Sequence, residues 1–338
     1  MVTVVRQIEK NVADAPAIAE AAVVLRRGGL VAFPTETVYG LGANVLDAAA
    51  VAGIFAAKQR PAWDPLIVHV ASWAMLDRVV REISPRARSL MRAFWPGPLT
   101  LLLPKHADVP AAVTAGRPLV GVRWPSHPVA LELIAAADVP VAAPSANLFR
   151  HVSPTTAQHV LRDLDGRIDF VLDGGATELG LESAVLDPNT EPPTLYRPGV
   201  LSVEQLEAIV GRVHVYQAPR EASSPESLPS PGVDVRHYAP RAPITLVDSR
   251  ESLLRTAALE GAGTKVGVLL PEGWVAPPGA KVFAWGAWED TSALAHNLYA
   301  GLRWLDEQRV DMMLVPLPPH GADTAALRDR LVKATQPE

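Results

Sequence analysis

Short apolar runs and segments with helical spacing alternate along the first 215 residues. The short runs predict strands at residues 30–33, 65–70, 98–104, 119–124, 139–144, 169–175 and 183–188. Apolar positions at helical spacing predict helices at residues 16–27, 48–58, 127–137 and 154–164, and a further helix that begins at Ser84-Pro85. An alternation of this kind is typical of a mixed α/β layer architecture.

Local signals mark where several of these elements begin and end. Gly28 and Gly29 should end the first helix, Asp47 should cap the second, and Pro85 stands at a first helical position where proline is tolerated. Residues 34–42 follow the first strand and combine proline and glycine with two threonines, a glutamate and a tyrosine. We interpret this stretch as a glycine-rich turn.

A second alternating unit follows a segment of different composition. Residues 218–240 hold five prolines and four serines, and this composition predicts an extended linker. Strands are then predicted at residues 243–248, 265–271, 281–286 and 311–318, and helices at residues 250–261, 291–309 and 322–333. We therefore predict a first domain at residues 1–217, a linker at residues 218–240, and a smaller domain with a doubly wound, mostly parallel sheet at residues 241–338.

The composition narrows the class of protein. The chain has 338 residues, 49% of them apolar, which is enough for two globular domains. No apolar run approaches the roughly 20 residues of a membrane span, and the first residues have no signal-peptide pattern, so we expect a cytoplasmic protein without membrane association. The absence of cysteine excludes disulfides, thiolate metal sites and a cysteine nucleophile. The net charge of −5 argues against a non-specific nucleic-acid binder, although it is compatible with a local basic pocket.

Familiar ligand-binding motifs, such as GxxxxGK[ST], GxGxxG, HExxH and GxSxG, are absent from the sequence. The remaining candidates for a ligand site are polar residues that come just after the apolar strands, because α/β sheets bind ligands at the ends of their strands. Lys58 and Arg60 could bind phosphate oxygens, or they could form a solvated helix end. Asp64 could belong to the same site or serve a turn. His69, inside an apolar run, could be a hydrogen-bonded core residue or a functional one.

Two arginines lie at the ends of otherwise apolar strands. A buried Arg123 needs an anionic partner, which could be an internal Asp or Glu or a ligand carboxylate. Arg197 could have the same role or form a surface ion pair. Ser145 and Asn147 could donate to phosphate or ribose, or serve the turn that contains them.

Taken together, these residues supply fixed cations, hydroxyls and a histidine without an obvious covalent nucleophile. Such a set suits a small anionic substrate and a polyphosphate, with catalysis by positioning and charge neutralisation. Mg²⁺ would then be bound mainly through the phosphates of the substrate.

Several of these stretches resemble the YrdC/Sua5 family, the L-threonylcarbamoyladenylate synthases. The resemblance is carried by "FPTETVYGLGANVLD", "AAKQRPAWDPLIVHV", "WPGPLTLLLP", "VGVRWPSHPVA", "APSANLFRHVSPTTAQHV", "ESAVLDP" and "LYRPG", in the family's order through residues 28–199. The linker, its "HYAP" ending and the second domain resemble the long, two-domain Sua5 branch. The resemblance implies an open, twisted mixed-sheet YrdC-like domain with a positive cavity, followed by a Rossmann-like Sua5 domain.

The resemblance also implies a reaction and its partners. L-threonine, bicarbonate and ATP, the last with Mg²⁺, would give L-threonylcarbamoyl-AMP, pyrophosphate and water. The chain would thus be a nucleotidyltransferase. Its product would pass to the machinery that forms N6-threonylcarbamoyladenosine in tRNA, with weak or no direct binding of tRNA by this chain.

The site residues follow from the resemblance position by position. Those implied for L-threonine are Thr37, His69, Arg123, Ser183 and the backbone at Ala143, with Arg123 on the amino acid's carboxylate. Those implied for ATP are Lys58, Arg60, Asp64, Ser145, Asn147, Ser153, Arg197, the backbone near Leu119, and His237 or Tyr238 from the linker. Lys58 and Arg60 are the implied catalytic pair, and Mg²⁺ would be held mainly by the ATP phosphates, with a bridge to Asp64 as a further hypothesis. At position 64 the family pattern would lead us to expect Asn as readily as Asp, so the resemblance implies less about Asp64 than about the other residues.

Two other functions would explain part of the pattern. A carbamoyl-transfer domain of the hydrogenase-maturation type shares the YrdC module, but it usually carries cysteine-rich zinc segments, which this sequence lacks. An RNA-binding module would also use a positive concave face. The net negative charge of the chain favours a nucleotide pocket over an RNA-binding surface.

Overall fold

The computed structural model describes residues 2–8, 15–217, 228–230, 232–233, 237–261 and 263–336. Most of the predicted linker, at residues 218–227, 231 and 234–236, lies outside these described residues. The linker prediction can therefore be compared with the structure only at the remaining positions, and the predicted domain boundaries stay predictions.

The larger of two sheets is built from the first part of the chain. Its strands within the described residues are β1 (Val4–Gln7), β2 (Val31–Phe33), β3 (Gly40–Asn44), β4 (Ile67–His69), β5 (Leu99–Pro104), β6 (Leu119–Arg123), β7 (Val141–Ala142), β8 (Phe170–Asp173), β9 (Ala184–Asp187), β10 (Thr194–Arg197) and β11 (His214–Val215). They lie in the order β1-β8-β2-β3-β7-β4-β6-β5-β9-β10-β11. Strands β4 and β6 are parallel, whereas β5 and β6 are antiparallel, so the predicted mixed sheet is confirmed.

Helices pack against this sheet. They are α1 (Ala15–Arg26), α2 (Ala48–Lys58), α3 (Trp73–Asp77), α4 (Pro85–Phe94), α5 (Pro128–Ala137), α6 (Ala157–Leu164) and α7 (Val203–Val210), with one 3₁₀ turn at Ala111–Thr114. The predicted cap of α2 is confirmed, because the Asp47 side chain accepts from the amides of Ala49 and Ala50. Leu25, Ile54 and Leu133, from three of these helices, are fully buried in one core with the strands.

The interpretation of residues 34–42 as a turn is wrong for residues 40–42. Residues Gly40–Asn44 form the buried strand β3, which is antiparallel to β2. A Cβ atom on Gly42 would lie 2.8 Å from a ring carbon of Phe33 and 2.9 Å from Cγ1 of Val141. The glycine therefore makes room for two core side chains inside a central strand, and glycine in a sequence signals such close packing and a turn equally well.

The smaller sheet is entirely parallel. Its strands are β12 (Ile244–Val247), β13 (Val266–Pro271), β14 (Lys281–Gly286) and β15 (Met312–Pro316), in the order β12-β15-β13-β14. Its helices are α8 (Arg250–Leu259), α9 (Thr291–Glu307) and α10 (Ala325–Ala334). Leu253 of α8 packs on one face against Val268, whereas α9 and α10 cover the other face around Met313. Helices on both faces of a parallel sheet confirm the predicted fold of this part. Every helix in the described residues is too short or too polar to cross a bilayer.

Candidate active site

Four neighbouring strands bring polar side chains together in a row. His69, at the end of β4, is paired in register with Arg123, at the end of β6. Arg123 is in turn opposite Thr100 on β5, and Oγ1 of Thr100 lies 2.8 Å from Oγ of Ser183, just before β9. Strand pairing thus places three of the predicted threonine-binding groups side by side. Thr100 joins them, although no sequence signal pointed to it.

His69, Arg123 and Ser183 line a cavity of about 50 Å³, and Thr100 lies behind them. The predicted site residues on its wall are Thr37, Arg60, His69, Arg123, Ala143, Ser145, Ser183, Arg197, His237 and Tyr238. The predicted residues that are not on this wall are Lys58, Asp64, Leu119, Asn147 and Ser153. The structure therefore brings the predicted threonine set together completely and the predicted ATP set in part.

Arg123 has an internal anionic partner. Its Nη2 lies 2.6 Å from Oε1 of Glu36, and both side chains are 5% exposed. Nη1 donates to Thr37 Oγ1 at 2.8 Å, and Nε donates to the Gly97 carbonyl at 3.3 Å. Burial would raise the pKa of Glu36, but the Arg123 charge and hydrogen bonds more than offset it, so the pKa is lowered and the carboxylate stays ionised. A guanidinium has five N–H donors, and these contacts use three, so two remain for a ligand.

The turn before β3 fixes the hydroxyl of Thr37. Thr35 Oγ1 donates to the Val38 carbonyl at 2.7 Å and lies 2.8 Å from Thr37 Oγ1. Since the only proton of Thr35 is used in this way, Thr37 must donate to Thr35 while it accepts from Arg123. The Thr37 hydroxyl therefore has a single remaining lone pair, which it can present to a ligand.

His69 is a neutral, buried hydrogen-bonding group. Its side chain is 3% exposed, and its Nδ1 has no hydrogen-bond partner among the described residues. Burial, with a further contribution from the Arg123 charge, lowers the pKa of His69 to about 3. An imidazole with so low a pKa is a weak proton acceptor at neutral pH, so the geometry favours a positioning role over that of a general base.

Arg197 belongs to the cavity rather than to the surface. It is 5% exposed, and it donates through Nε to the Ser183 carbonyl at 3.0 Å and through Nη2 to Ser183 Oγ at 3.2 Å. This burial excludes the surface ion pair that the sequence left open for Arg197. The same contacts place a cation next to the predicted threonine groups.

Lys58 and Arg60 are both buried, which excludes a solvated helix end. Arg60 forms an ion pair of 2.8 Å with Asp64 and donates to the Pro65 carbonyl at 2.7 Å while it lines the cavity. The Lys58 Nζ instead donates to the carbonyls of Ser145 and Asn147, at 2.5 and 2.6 Å. Burial, and then the Arg60 charge, lowers the pKa of Lys58. In this structure Lys58 therefore holds the Ser145–Asn147 turn in place rather than facing the cavity.

The other predicted nucleotide groups lie one layer behind the wall. The Asn147 Nδ2 donates to the carbonyls of Leu148 and His151, at 2.8 and 2.9 Å. Leu119 packs against the apolar cluster that contains the cavity-lining Ile67. Ala143 is on the wall, but its amide donates to the Ile67 carbonyl at 2.8 Å, so a ligand could use only the Ala143 carbonyl.

The end of the linker closes the cavity from the side of the second domain. His237 and Tyr238 are both buried on the wall, with their rings stacked at a centroid distance of 4.1 Å. Tyr238 also stacks on Tyr299 of α9, at 5.8 Å. Burial, and then the charge of Arg60, lowers the pKa of His237, so this ring is neutral. Both residues are thus placed to reach a ligand, and the alternative between them stays open.

A buried carboxylate that the sequence did not single out joins the two domains. Glu182 accepts from Ser153 Oγ at 2.5 Å, from the Tyr299 hydroxyl at 2.9 Å and from Nε of Arg330 at 2.8 Å. Glu182 also lines the cavity. One signal could have found it, because a glutamate within the largely apolar run of residues 179–187 needs a cation if the run is buried.

The carboxylates around the cavity are committed to arginines. Glu36 pairs with Arg123, Asp64 with Arg60, and Glu182 with Arg330. Among the described residues there is no cluster of three or more His, Asp or Glu that could hold a metal ion. These three carboxylates are therefore already charge-compensated by arginines.

Comparison with known proteins bears on this site. Residues 23–199 match the family model Sua5_yciO_yrdC, whose description is "Telomere recombination", and residues 201–336 match "Threonylcarbamoyl-AMP synthase, C-terminal domain". The chain belongs to the Sua5/YrdC family. The predicted resemblance, including the long two-domain branch, is confirmed.

Relatives and solved structures agree with this membership. The chain is 42% identical over 321 residues to the threonylcarbamoyl-AMP synthase of Pyrococcus abyssi, which covers 93% of both chains. It is 42% identical over 323 residues to the Bacillus subtilis protein of the same name, with 94% of this chain and 93% of the relative covered. The crystal structure of P. abyssi Sua5 complexed with L-threonine matches with a TM-score of 0.90 and 40% identity, over 98% of each chain.

Proposed function

We propose that this chain is an enzyme that makes L-threonylcarbamoyl-AMP from L-threonine, bicarbonate and ATP, with release of pyrophosphate. Relatives similar over nearly the whole chain carry the name of that activity, and one of them was crystallised with L-threonine. The product would serve formation of N6-threonylcarbamoyladenosine in tRNA. The transfer machinery and a cytoplasmic location stay predictions.

The observation that carries the proposal is the strand-end row of buried polar groups. The two remaining donors of Arg123 suit a carboxylate, and the Nδ1 of His69 and the free lone pair of Thr37 suit the amine or hydroxyl of a small amino acid. A cavity built from such buried groups discriminates strongly, because an analogue that lacks a polar atom leaves its partner unpaired. Arg60 and Arg197 add positive charge on the nucleotide side.

The proposed chemistry has two steps. The amine of threonine attacks CO₂ or bicarbonate, which gives N-carboxy-threonine and, from bicarbonate, water. A carbamate oxygen then attacks the α-phosphorus of ATP, and the bond from that phosphorus to the β-phosphate oxygen breaks so that pyrophosphate leaves. Negative charge gathers on the phosphates, and Arg60 and Arg197 would stabilise it. Mg²⁺ would enter with ATP and neutralise further phosphate charge.

The substrates need more room than the cavity offers. A volume of about 50 Å³ holds roughly three or four water molecules, which is less than ATP requires. His237 and Tyr238 close one side of this volume. We therefore propose that the segment with these two residues moves aside when ATP binds, and that its return excludes water from the reaction.

The decisive experiment measures pyrophosphate release with Mg–ATP and bicarbonate, with and without L-threonine, and identifies threonylcarbamoyl-AMP by mass spectrometry. We expect release to require threonine. Release that is the same without threonine contradicts the proposal. Within the site, Arg123→Lys should raise the Michaelis constant for threonine much more than that for ATP. The exposed Arg81 provides the matched control, since Arg81→Lys should change neither constant.

A further inference from the structure

A fully buried arginine of the second domain lies against the site of the first domain. Arg330 of α10 is 0% exposed and forms an ion pair of 2.8 Å with Glu182. Its Nη2 donates to the Pro198 carbonyl at 3.0 Å, and its guanidinium carbon is 5.0 Å from the centre of the Tyr238 ring. Asp329 provides a second anionic partner at 2.6 Å.

Three of these contacts, to Glu182, Pro198 and Tyr238, lead to groups on the proposed nucleotide side. Glu182 accepts the proton of Ser153, and Pro198 follows Arg197 directly. Tyr238 is itself on the cavity wall. One cation of the second domain is thus in contact with the supports of three predicted nucleotide groups, whereas none of its described contacts is to Thr37, His69 or Arg123.

The charge of Glu182 depends on its cations. Burial alone would raise the pKa of this carboxyl, but the charges of Arg330 and Arg197 outweigh burial, so the pKa is lowered. The ionised carboxylate fixes the Ser153 hydroxyl as a donor at 2.5 Å. The lone pairs of Ser153, rather than its proton, are then left for a ligand.

We propose that Arg330 is a positioning residue for the ATP half of the site, and that it acts through Glu182 on Ser153 and through Pro198 on Arg197. This inference rests on the proposed function. It assigns a role to the second domain, which supplies the counter-ion and the Tyr299 hydroxyl that hold Glu182. The threonine half is built from strands of the first domain, and it meets this contact at Ser183, which follows Glu182 and accepts from Arg197.

The test compares two mild variants of the full chain, Arg330→Lys and Tyr299→Phe. Both variants should raise the Michaelis constant for ATP and weaken the ATP binding that calorimetry measures. A misplacement of a reacting group by about 1 Å can cost on the order of 100-fold in rate. We expect a smaller effect, about tenfold, for Arg330→Lys because it acts through Glu182 and Pro198. The Michaelis constant for threonine should rise much less than that for ATP, because Thr37, His69 and Arg123 are not among the described contacts of Arg330. Glu182→Gln should give the same selective loss, and its combination with Arg330→Lys should lose less than the product of the two single effects.

The matched control is Arg162→Gln. Arg162 of α6 forms an ion pair with Glu307 of α9, so this variant also breaks an arginine–glutamate contact between the domains, but on the wall of a different cavity. It should leave both Michaelis constants unchanged. The proposal is overturned if Arg162→Gln raises the constant for ATP as much as Arg330→Lys does. It is also overturned if the Arg330 and Tyr299 variants lower kcat with both constants unchanged, because that result indicates only a loss of folded protein.

The same measurements separate this inference from the proposed function. If the wild type releases pyrophosphate in the presence of threonine and the Michaelis constants of Arg330→Lys equal those of the wild type, the inference alone is overturned. Wild-type protein that binds no ATP in calorimetry overturns both.

Discussion

The buried pair of Glu36 and Arg123 allows a quantitative test of how this site is held together. Three variants are needed: Arg123→Met, Glu36→Gln and the double variant. The two groups lie 2.6 Å apart and both side chains are 5% exposed, so removal of one partner leaves the other charge in a nearly dry environment. Each single variant should therefore lower the free energy of unfolding by about 3–5 kcal/mol at pH 7. The double variant should cost less than either single one, because no uncompensated charge remains.

The pH dependence of these variants has a definite sign. In the wild type the pKa of Glu36 is lowered from 4.5, so its stabilisation is present above pH 4.5 and is lost as the pH falls through the native pKa. In Arg123→Met only backbone hydrogen bonds oppose burial, which is the largest influence on this group, so we expect the pKa of Glu36 to rise above 4.5. The penalty in this variant is then largest at high pH and disappears as the pH falls through the raised value. The double variant is the proper reference, since His69 has lost the Arg123 charge in both proteins.

Urea unfolding at pH 8 and pH 5 measures both effects. We expect Arg123→Met to be much less stable than the double variant at pH 8 and to approach it at pH 5. The reasoning is refuted if the double variant equals the sum of the two single effects within about 0.5 kcal/mol, because additivity means that the two groups do not interact. It is also refuted if the gap between Arg123→Met and the double variant does not depend on pH.

Three further predictions concern single residues. Thr37→Val should raise the Michaelis constant for threonine about tenfold and leave that for ATP unchanged, since a hydrogen bond in a charged network contributes about 1.5 kcal/mol. Equal threonine constants for the wild type and the variant would contradict the role assigned to Thr37. The pKa of His69 is the ordinary 6.5 in the unfolded chain and about 3 in the folded protein, so protonation favours the unfolded chain as the pH falls. Between pH 8 and pH 5 the free energy of unfolding of the wild type should therefore fall by about 2 kcal/mol more than that of His69→Gln, as measured by urea unfolding. Parallel pH curves for the two proteins would show that His69 titrates normally. Gly42→Ala should lower the free energy of unfolding by about 1–3 kcal/mol, because the new methyl group would overlap Phe33 and Val141; a melting temperature equal to that of the wild type would exclude this packing constraint.

Signals that act within a few residues made much of the fold predictable. The cap at Asp47 and the serine before Pro85 place helix starts correctly, because a cap bonds to amides two or three positions away. The strand of residues 40–44 was missed, since the reason for Gly42, its close packing on Phe33 and Val141, is visible only in the folded sheet. Short elements such as α3 and β11 have too few positions to show a period.

The candidate site, like the fold, could be predicted from the sequence only in part. The resemblance indicated the groups that a ligand would touch, and strand pairing brings the threonine set together. The partner of the buried Glu182 was not predictable, because Arg330 lies 148 positions further along the chain. Lys58 shows a related limit: its position matched a phosphate-binding pattern, but the direction of its ammonium group depends on carbonyls nearly ninety residues away.

The contact between Glu182 and Arg330 limits how far this protein can be treated as two separable modules. A chain cut between the domains would leave the carboxylate without Tyr299 and Arg330 and would expose a face built around that charge. An engineered first domain that stands alone would therefore need a neutral residue at position 182. A second domain taken from a relative would need an arginine at the position of its last helix that corresponds to Arg330. Exchange of domains between members of the family is thus constrained by this buried charged pair.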